Sequence, residues 1–192
     1  MNAEEVLRRL IDGNARYREG RPEGEGRGAE RREQTAAGQK PMAIVLTCSD
    51  SRVPPEIIFD AGIGDLFVVR VAGNVEDDLV RGSMEYAAAH LAVPLLIVLG
   101  HTRCGAVTAA LSEAAVEGAA AAFLGPIREA VRAAADDGGD PVESTARRNA
   151  VMTARRLRES PPVLAPLVSS GRLAVRAALY DIVTGAVELL ED

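Results

Sequence analysis

The chain has 192 residues, a formal net charge of −6 at pH 7, 47% hydrophobic residues and no tryptophan. That length suits one α/β domain with a real core and leaves little room for a second. The arginines and the single lysine, Lys40, are scattered along the chain and form no basic stripe, so nucleic acid is not an expected partner. The longest apolar run, around Val93–Leu99, is strand-sized and contains Pro94, so no membrane span is expected. The opening MNAEEVLRRL lacks the apolar region of a secretion signal, and the chain reads as cytoplasmic; a leader removed earlier would leave no trace.

In chain order, residues 3–18 have helical spacing, with Leu7, Leu10 and Ile11 on one side. Residues 20–40 hold five glycines, many charges and almost nothing apolar, and read as a mobile arm. A short amphipathic helix on such an arm has no core of its own and must dock on this subunit or on a neighbour. Residues 1–40 are therefore expected to be an N-terminal helix and arm that wraps a dimer, and residues 41–192 a single α/β catalytic domain.

Three apolar runs read as strands: Met42–Thr47, Leu66–Ala72 and Leu95–Gly100. The segment Asp78–Leu91 places Val80, Met84, Ala87 and Leu91 at helical spacing. Near-continuous apolar strands alternating with helices predict a central, mostly parallel sheet flanked by helices on both faces. Residues 104–159 read as helices broken at Asp136–Pro141. Leu173–Tyr180 and Val187–Leu190, on either side of Thr184-Gly185, predict a strand with a C-terminal antiparallel hairpin partner. Gly62 and Gly64 lack the rest of a phosphate loop and read as a turn before a strand.

The chemistry gathers at two strand ends, where open α/β sheets place their ligands. Cys48-Ser49-Asp50-Ser51-Arg52 follows the first strand, and His101-Thr102-Arg103-Cys104-Gly105 follows the third. Two cysteines in such a chain are ordinarily buried free thiols, an H-x-x-C is ordinarily coincidence, and an Asp near an Arg is ordinarily a surface pair. Here both cysteines and one of only two histidines fall at those ends together. If the strands are neighbours, Cys48, His101 and Cys104 converge into a zinc set with an open fourth position. Water bound there would lose its proton near pH ~7 instead of ~16. Arg52 would hold Asp50 as an acceptor facing the bound hydroxide. Gly105 would allow close backbone approach at the start of the next helix.

The segments Cys48–Glu56 (CSDSRVPPE), Gly64–Arg70 (GDLFVVR) and Gly100–Ala106 (GHTRCGA) resemble the signatures of the β-class carbonic anhydrases. The likeness runs from about Gln39 to Leu111, with a fainter echo in the C-terminal hairpin. It implies reversible hydration of CO2 to bicarbonate and a proton by a zinc-bound hydroxide. Zinc would be held by Cys48, His101 and Cys104, with Asp50 and Arg52 as the catalytic dyad and Asp50 on the metal only in the family's closed form. It further implies a homodimer or a dimer of dimers. Gln39 resembles a glutamine that contacts bicarbonate, and Phe67 and Tyr86 resemble pocket residues contributed across the dimer interface; read alone, Phe67 is core filling and Tyr86 an ordinary helix residue. Many relatives have Asn where this chain has Val71. His90, four residues after Tyr86, could carry the proton away or simply cap a packed helix. The closed form of one branch is locked by bicarbonate beside a tryptophan three residues before the first cysteine. Val45 stands there, although the matching Arg70 is present, so an open site with Asp50 on Arg52 is expected.

Rival readings are a cysteine phosphatase, a zinc-binding homologue without activity, and hydrolysis of CS2 or COS on the same scaffold. The first lacks a glycine cradle between Cys48 and Arg52. The second has no need of an Asp50–Arg52 pair. The third is left open by these motifs.

Overall fold

The apolar runs form the middle of a five-stranded sheet, in a computed structural model that describes residues 1–112 and 116–191. The strands are β1 (Ala43–Thr47), β2 (Leu66–Arg70), β3 (Leu95–His101), β4 (Ala174–Tyr180) and β5 (Val187–Leu190), in the order β2-β1-β3-β4-β5. The first four are mutually parallel, and β5 runs antiparallel to β4 across the predicted hairpin. Every residue of β1 and β3 is buried, which is why both read as unbroken apolar runs.

Strand alternation sends Ile44, Leu46, Leu96 and Val98 to one face. There they meet Met84 and Ala87 of α4 (Asp78–His90), Ala150, Ala154 and Leu157 of α7 (Pro141–Arg158), and Leu164 of α8 (Leu164–Ser169). The opposite face presents Ala43, Val45, Leu95 and Ile97 to Val6, Leu7 and Leu10 of α1 (Ala3–Arg18) and to Ile58 of the short α3 (Pro55–Ile58). A third cluster, with Val107 of α5 (Gly105–Leu111) and Leu124 and Ile127 of α6 (Leu124–Ala133), surrounds the two cysteines. The break expected at Asp136–Pro141 is the start of α7: Asp140 caps the amides of Val142 and Glu143, and Pro141 occupies the first turn. The part of the helical reading that covers residues 113–115 lies outside the described residues.

Of the two docking places the sequence leaves open for the N-terminal helix, the structure has the first, this subunit, while the arm departs from its sequence reading. The apolar side of α1 is taken up by its own chain's sheet, each buried aliphatic side chain stabilising by about 1.5–3 kcal/mol. Residues 20–40 also contain a helix, α2 (Ala29–Thr35), and are strapped to the loop after α3 by polar bonds that no apolar pattern could announce. The Asp60 carboxylate is wholly buried and accepts from Arg16 Nε (2.8 Å), the Glu23 and Gly24 amides (2.9 and 3.0 Å) and Arg27 Nη2 (2.9 Å). Arg31 pairs with Asp65 at 2.9 Å, and the strap passes so close that a Cβ on Gly62 would lie 2.8 Å from the Glu25 and Gly26 carbonyl oxygens.

Burial raises the Asp60 pKa, but the Arg16 bond and the two amides outweigh it and hold the carboxyl below its usual range. Its stabilising contribution is thus present above the unfolded-chain value of about 4 and fades as pH falls through the lower folded value. Asp60→Ala is expected to cost about 2–4 kcal/mol, because it strands two partly buried amides and two guanidinium groups. Chemical denaturation should report this loss, together with faster tryptic cleavage at Arg27 and Arg31; unchanged stability and cleavage would refute the strap.

Candidate active site

Pairing of β1 with β3 in parallel, Thr47 opposite Leu99, brings the two motif-bearing strand ends side by side. The chain leaves β1 for β2 on one side and returns to β3 on the other, so the crevice between them is the sheet's topological switch point. Cys48, His101 and Cys104 meet there, all buried, and one ligand atom from each lies within 4.8 Å of the others. Cys104 comes within reach because the turn after His101 passes through Arg103 in the left-handed region, φ 55°. Oγ1 of Thr47 donates to the Leu99 carbonyl at 2.9 Å and ties the two strand ends together.

The donor chemistry of this trio fits a metal ion. His101 is fully buried, with Nδ1 2.9 Å from the Thr102 carbonyl. That contact requires Nδ1–H, so the neutral ring presents a lone pair on Nε2, which has no hydrogen-bond partner in the protein. Between the sulfurs, the Cys104 thiol donates to Cys48 and draws the Cys48 pKa down against its burial, with help from the Gly73 amide. Cys104 is pushed up by the same bond and by burial. A cation among the three groups would take the place of that proton.

Asp50 stands beside this trio rather than in it. Its Oδ1 accepts from Arg52 Nε (2.9 Å) and from the Arg52 amide (3.0 Å), its Oδ2 accepts from Arg52 Nη2 (2.7 Å), and Oδ2 lies 4.0 Å from His101 Nε2. The Arg52 fork, opposed by burial, holds the Asp50 carboxyl well below the usual carboxylate range. Arg52 also donates to the Arg103 carbonyl at 3.3 Å, linking the two motifs.

Of the other expected site residues, Gln39, Phe67, Tyr86 and His90 are not at this edge of their own chain, whereas Gly105, next to Cys104, is. Gln39 is exposed, just before β1 begins. Phe67 sits opposite Ile44 and packs towards the α4 layer. Tyr86, about half exposed, stacks between Phe67 (ring centroids 6.4 Å) and His90 (5.3 Å). Because α4 runs back to the start of β3, His90 ends at the N-terminal edge of the sheet, away from its own chain's cysteines. Gly105 is exposed and a Cβ there would meet open space, so no close backbone approach requires it.

Two further groups hold the site in roles the sequence analysis did not assign. Arg70, at the end of β2, donates through Nε to the Cys48 carbonyl (3.1 Å) and through Nη2 to the Asp50 carbonyl, clamping the loop that carries both side chains. Gly73 donates its amide to Cys48 Sγ at 3.2 Å. Its place after a third strand end was the available clue. The Val71 amide bonds to the Thr47 carbonyl at 3.1 Å and its side chain packs into the core, so local bonding survives without Asn there.

Fold and site together define an α/β enzyme with a Cys-His-Cys metal-capable cluster at the switch point of a parallel sheet. The family model described as carbonic anhydrase matches residues 43–187. The chain is 40% identical over 187 residues to carbonic anhydrase 2 of Mycobacterium tuberculosis, covering 94% of this chain and 89% of that protein. It is 34% identical to a carbonic anhydrase of Pseudomonas aeruginosa over 168 residues, 81% of this chain and 76% of that one. A tetrameric β-carbonic anhydrase of Sordaria macrospora superposes with a TM-score of 0.77 at 28% identity, over 85% and 90% of the two chains. A Coccomyxa β-carbonic anhydrase bound to acetazolamide gives 0.75 at 27%, over 82% and 75%. The chain belongs to the β class of the carbonic anhydrase family.

Arg70→Ala is expected to raise amide hydrogen exchange across residues 48–53 about tenfold or more, since two charge-assisted bonds to that loop are lost. Exchange in β1 should stay slow. Unchanged exchange in 48–53 would show that Arg70 does not hold the loop.

Proposed function

We propose that the chain catalyses the reversible hydration of CO2 to bicarbonate and a proton, with zinc held by Cys48, His101 and Cys104. The observation that carries this reading is the buried trio with an unpartnered His101 Nε2, set beside a carboxylate gripped by two arginine bonds. Zinc supplies the acidity, bringing the pKa of a bound water from about 16 to about 7 so that hydroxide is available at neutral pH.

The remaining work belongs to the chain's own residues. Arg52 keeps Asp50 ionised and therefore acceptor-only, and fixes its oxygens. Such a carboxylate accepts a hydrogen bond from the attacking oxygen and leaves that oxygen's lone pair directed at CO2. Thr102 orients the His101 ring, and Arg70 holds the loop on which Cys48 and Asp50 are spaced. With zinc bound by the trio, Asp50 would stay on Arg52 near pH 7.5 and so would leave room for a water ligand.

A homodimer, alone or paired again, forms part of the proposal. β2 is an edge strand with its residues only partly buried, while Leu79 and Tyr86 beside it are 84% and 49% exposed. The Sordaria relative is tetrameric. In such an assembly Gln39, Phe67, Tyr86 and His90 would serve the site of a second copy.

Stopped-flow hydration of CO2 is the deciding assay. We expect one zinc per chain, activity lost on chelation and restored by zinc, and both thiols unreactive until the metal is stripped. Hydrolysis of CS2 or COS without CO2 hydration, or two reactive thiols beside full zinc, would overturn the assignment. Arg52→Ala should lower the hydration rate about 10–100-fold with zinc retained, because the acceptor is no longer held. Light scattering should give a dimer or tetramer; a fully active monomer would refute the assembly.

A further inference from the structure

Among the described residues, four buried side-chain atoms lack a hydrogen-bond partner: Asn74 Nδ2, His101 Nε2, Asn149 Oδ1 and Thr153 Oγ1. His101 Nε2 belongs to the ligand set. Asn149 is the informative one. It lies on the buried side of α7 among Ala146, Ala150, Thr153 and Ala154, 1% exposed. Its amide makes one hydrogen bond, from Nδ2 to the Gly73 carbonyl at 2.7 Å, and its oxygen is left bare. An apolar residue of the same size would suit that layer better than a half-satisfied amide. The bond to Gly73 is what the amide provides.

Gly73 is held from every side. It adopts φ 71°, and a Cβ on it would lie 2.5 Å from Ile127 Cδ1 and 3.3 Å from Ala106 Cβ, so α5 and α6 close on it. On its amide side it donates to Cys48 Sγ at 3.2 Å. On its carbonyl side it is fastened by Asn149. An N–H bond to a thiolate fixes the direction of the sulfur lone pairs and withdraws part of its charge, and such outer contacts tune a metal's affinity.

We propose that Asn149 is a positioning residue for the ligand Cys48: by holding the Gly73 carbonyl it keeps the Gly73 N–H aimed at Sγ. This rests on the zinc reading above and extends it to a residue of α7 that touches neither metal nor substrate.

The test compares wild type, Asn149→Leu, Asn149→Asp and Thr153→Val, each as the full chain loaded with zinc or with cobalt(II). Two readouts are needed: the rate of zinc loss to a competing chelator and the energy of the sulfur-to-cobalt charge-transfer band. Both Asn149 variants should lose zinc about 10–100-fold faster. Their charge-transfer band should move to lower energy, because a thiolate without its N–H bond is easier to oxidise. Thr153→Val, one turn along the same buried face, should match wild type in both. Wild type that binds no metal would sink the zinc reading itself. Wild type that binds zinc while the Asn149 variants hold it within twofold, with an unmoved band, would overturn only the role of Asn149. Equal effects from Thr153→Val, or failure of both Asn149 variants to fold while Thr153→Val folds, would make the residue a packing element and also overturn it.

Discussion

The parallel pairing of β1 with β3 decides everything at the chemical end of the molecule. Residues 48 and 101 are fifty-three positions apart in the chain, and only that register sets their backbones next to each other. A slip of one residue would reverse every side chain of β1, burying Thr47 among the aliphatics of the α4 and α7 layer and turning Leu46 away from it. The same slip would misplace Cys48 by about 3.3 Å, more than a metal-ligand bond tolerates. Because β1 is flanked on both sides and packed on both faces, the register is specified by most of the core at once.

Gathering two sulfurs and an imidazole in a buried crevice carries a cost, and the surroundings show how it is offset. Unpaired thiolates in an apolar setting are strongly disfavoured. Here Gly73 N–H reaches one sulfur, and Arg52 and Arg70 place two guanidinium groups over the loop between the motifs. Local backbone geometry serves the same end. Gly73 and Arg103 both have positive φ, the second without being glycine; Gly73 bonds Cys48 and Arg103 precedes Cys104. Strained conformations persist where surrounding contacts over-determine them. At this site the helices α5, α6 and α7 provide those contacts.

The sequence made some of this legible and hid the rest for definite reasons. Strand positions were readable because β1 and β3 are buried throughout and therefore apolar throughout; α1 and α4 were readable from their spacing. The metal-capable trio was readable because rare residue types fell at two strand ends. The strap on Asp60 was not, since an aspartate in a glycine-rich neighbourhood looks like any loop residue until its four donors are seen. Nor was the function of Arg70 and Asn149, whose partners are backbone carbonyls and so leave no complementary residue type in the sequence. His90 shows a different limit. Its spacing from Tyr86 was read correctly, but helical spacing says nothing about which edge of the sheet the helix ends on.

That last point bears on how the site is completed. β1 spans about 17 Å at ~3.3 Å per residue, and it separates the edge carrying Cys48 and Asp50 from the edge carrying Gln39 and His90. One chain thus holds the Cys-His-Cys trio and the Asp50–Arg52 pair at one end and a glutamine, an aromatic pair and a histidine at the other. No side-chain motion bridges that distance. If the second set serves the reaction, it does so in another copy, and a two-fold interface would supply it reciprocally, each chain lending its N-terminal edge to the other's crevice. Catalysis and assembly then become one constraint, because whatever loosens β2 and α4 from their neighbour removes half of two sites at once.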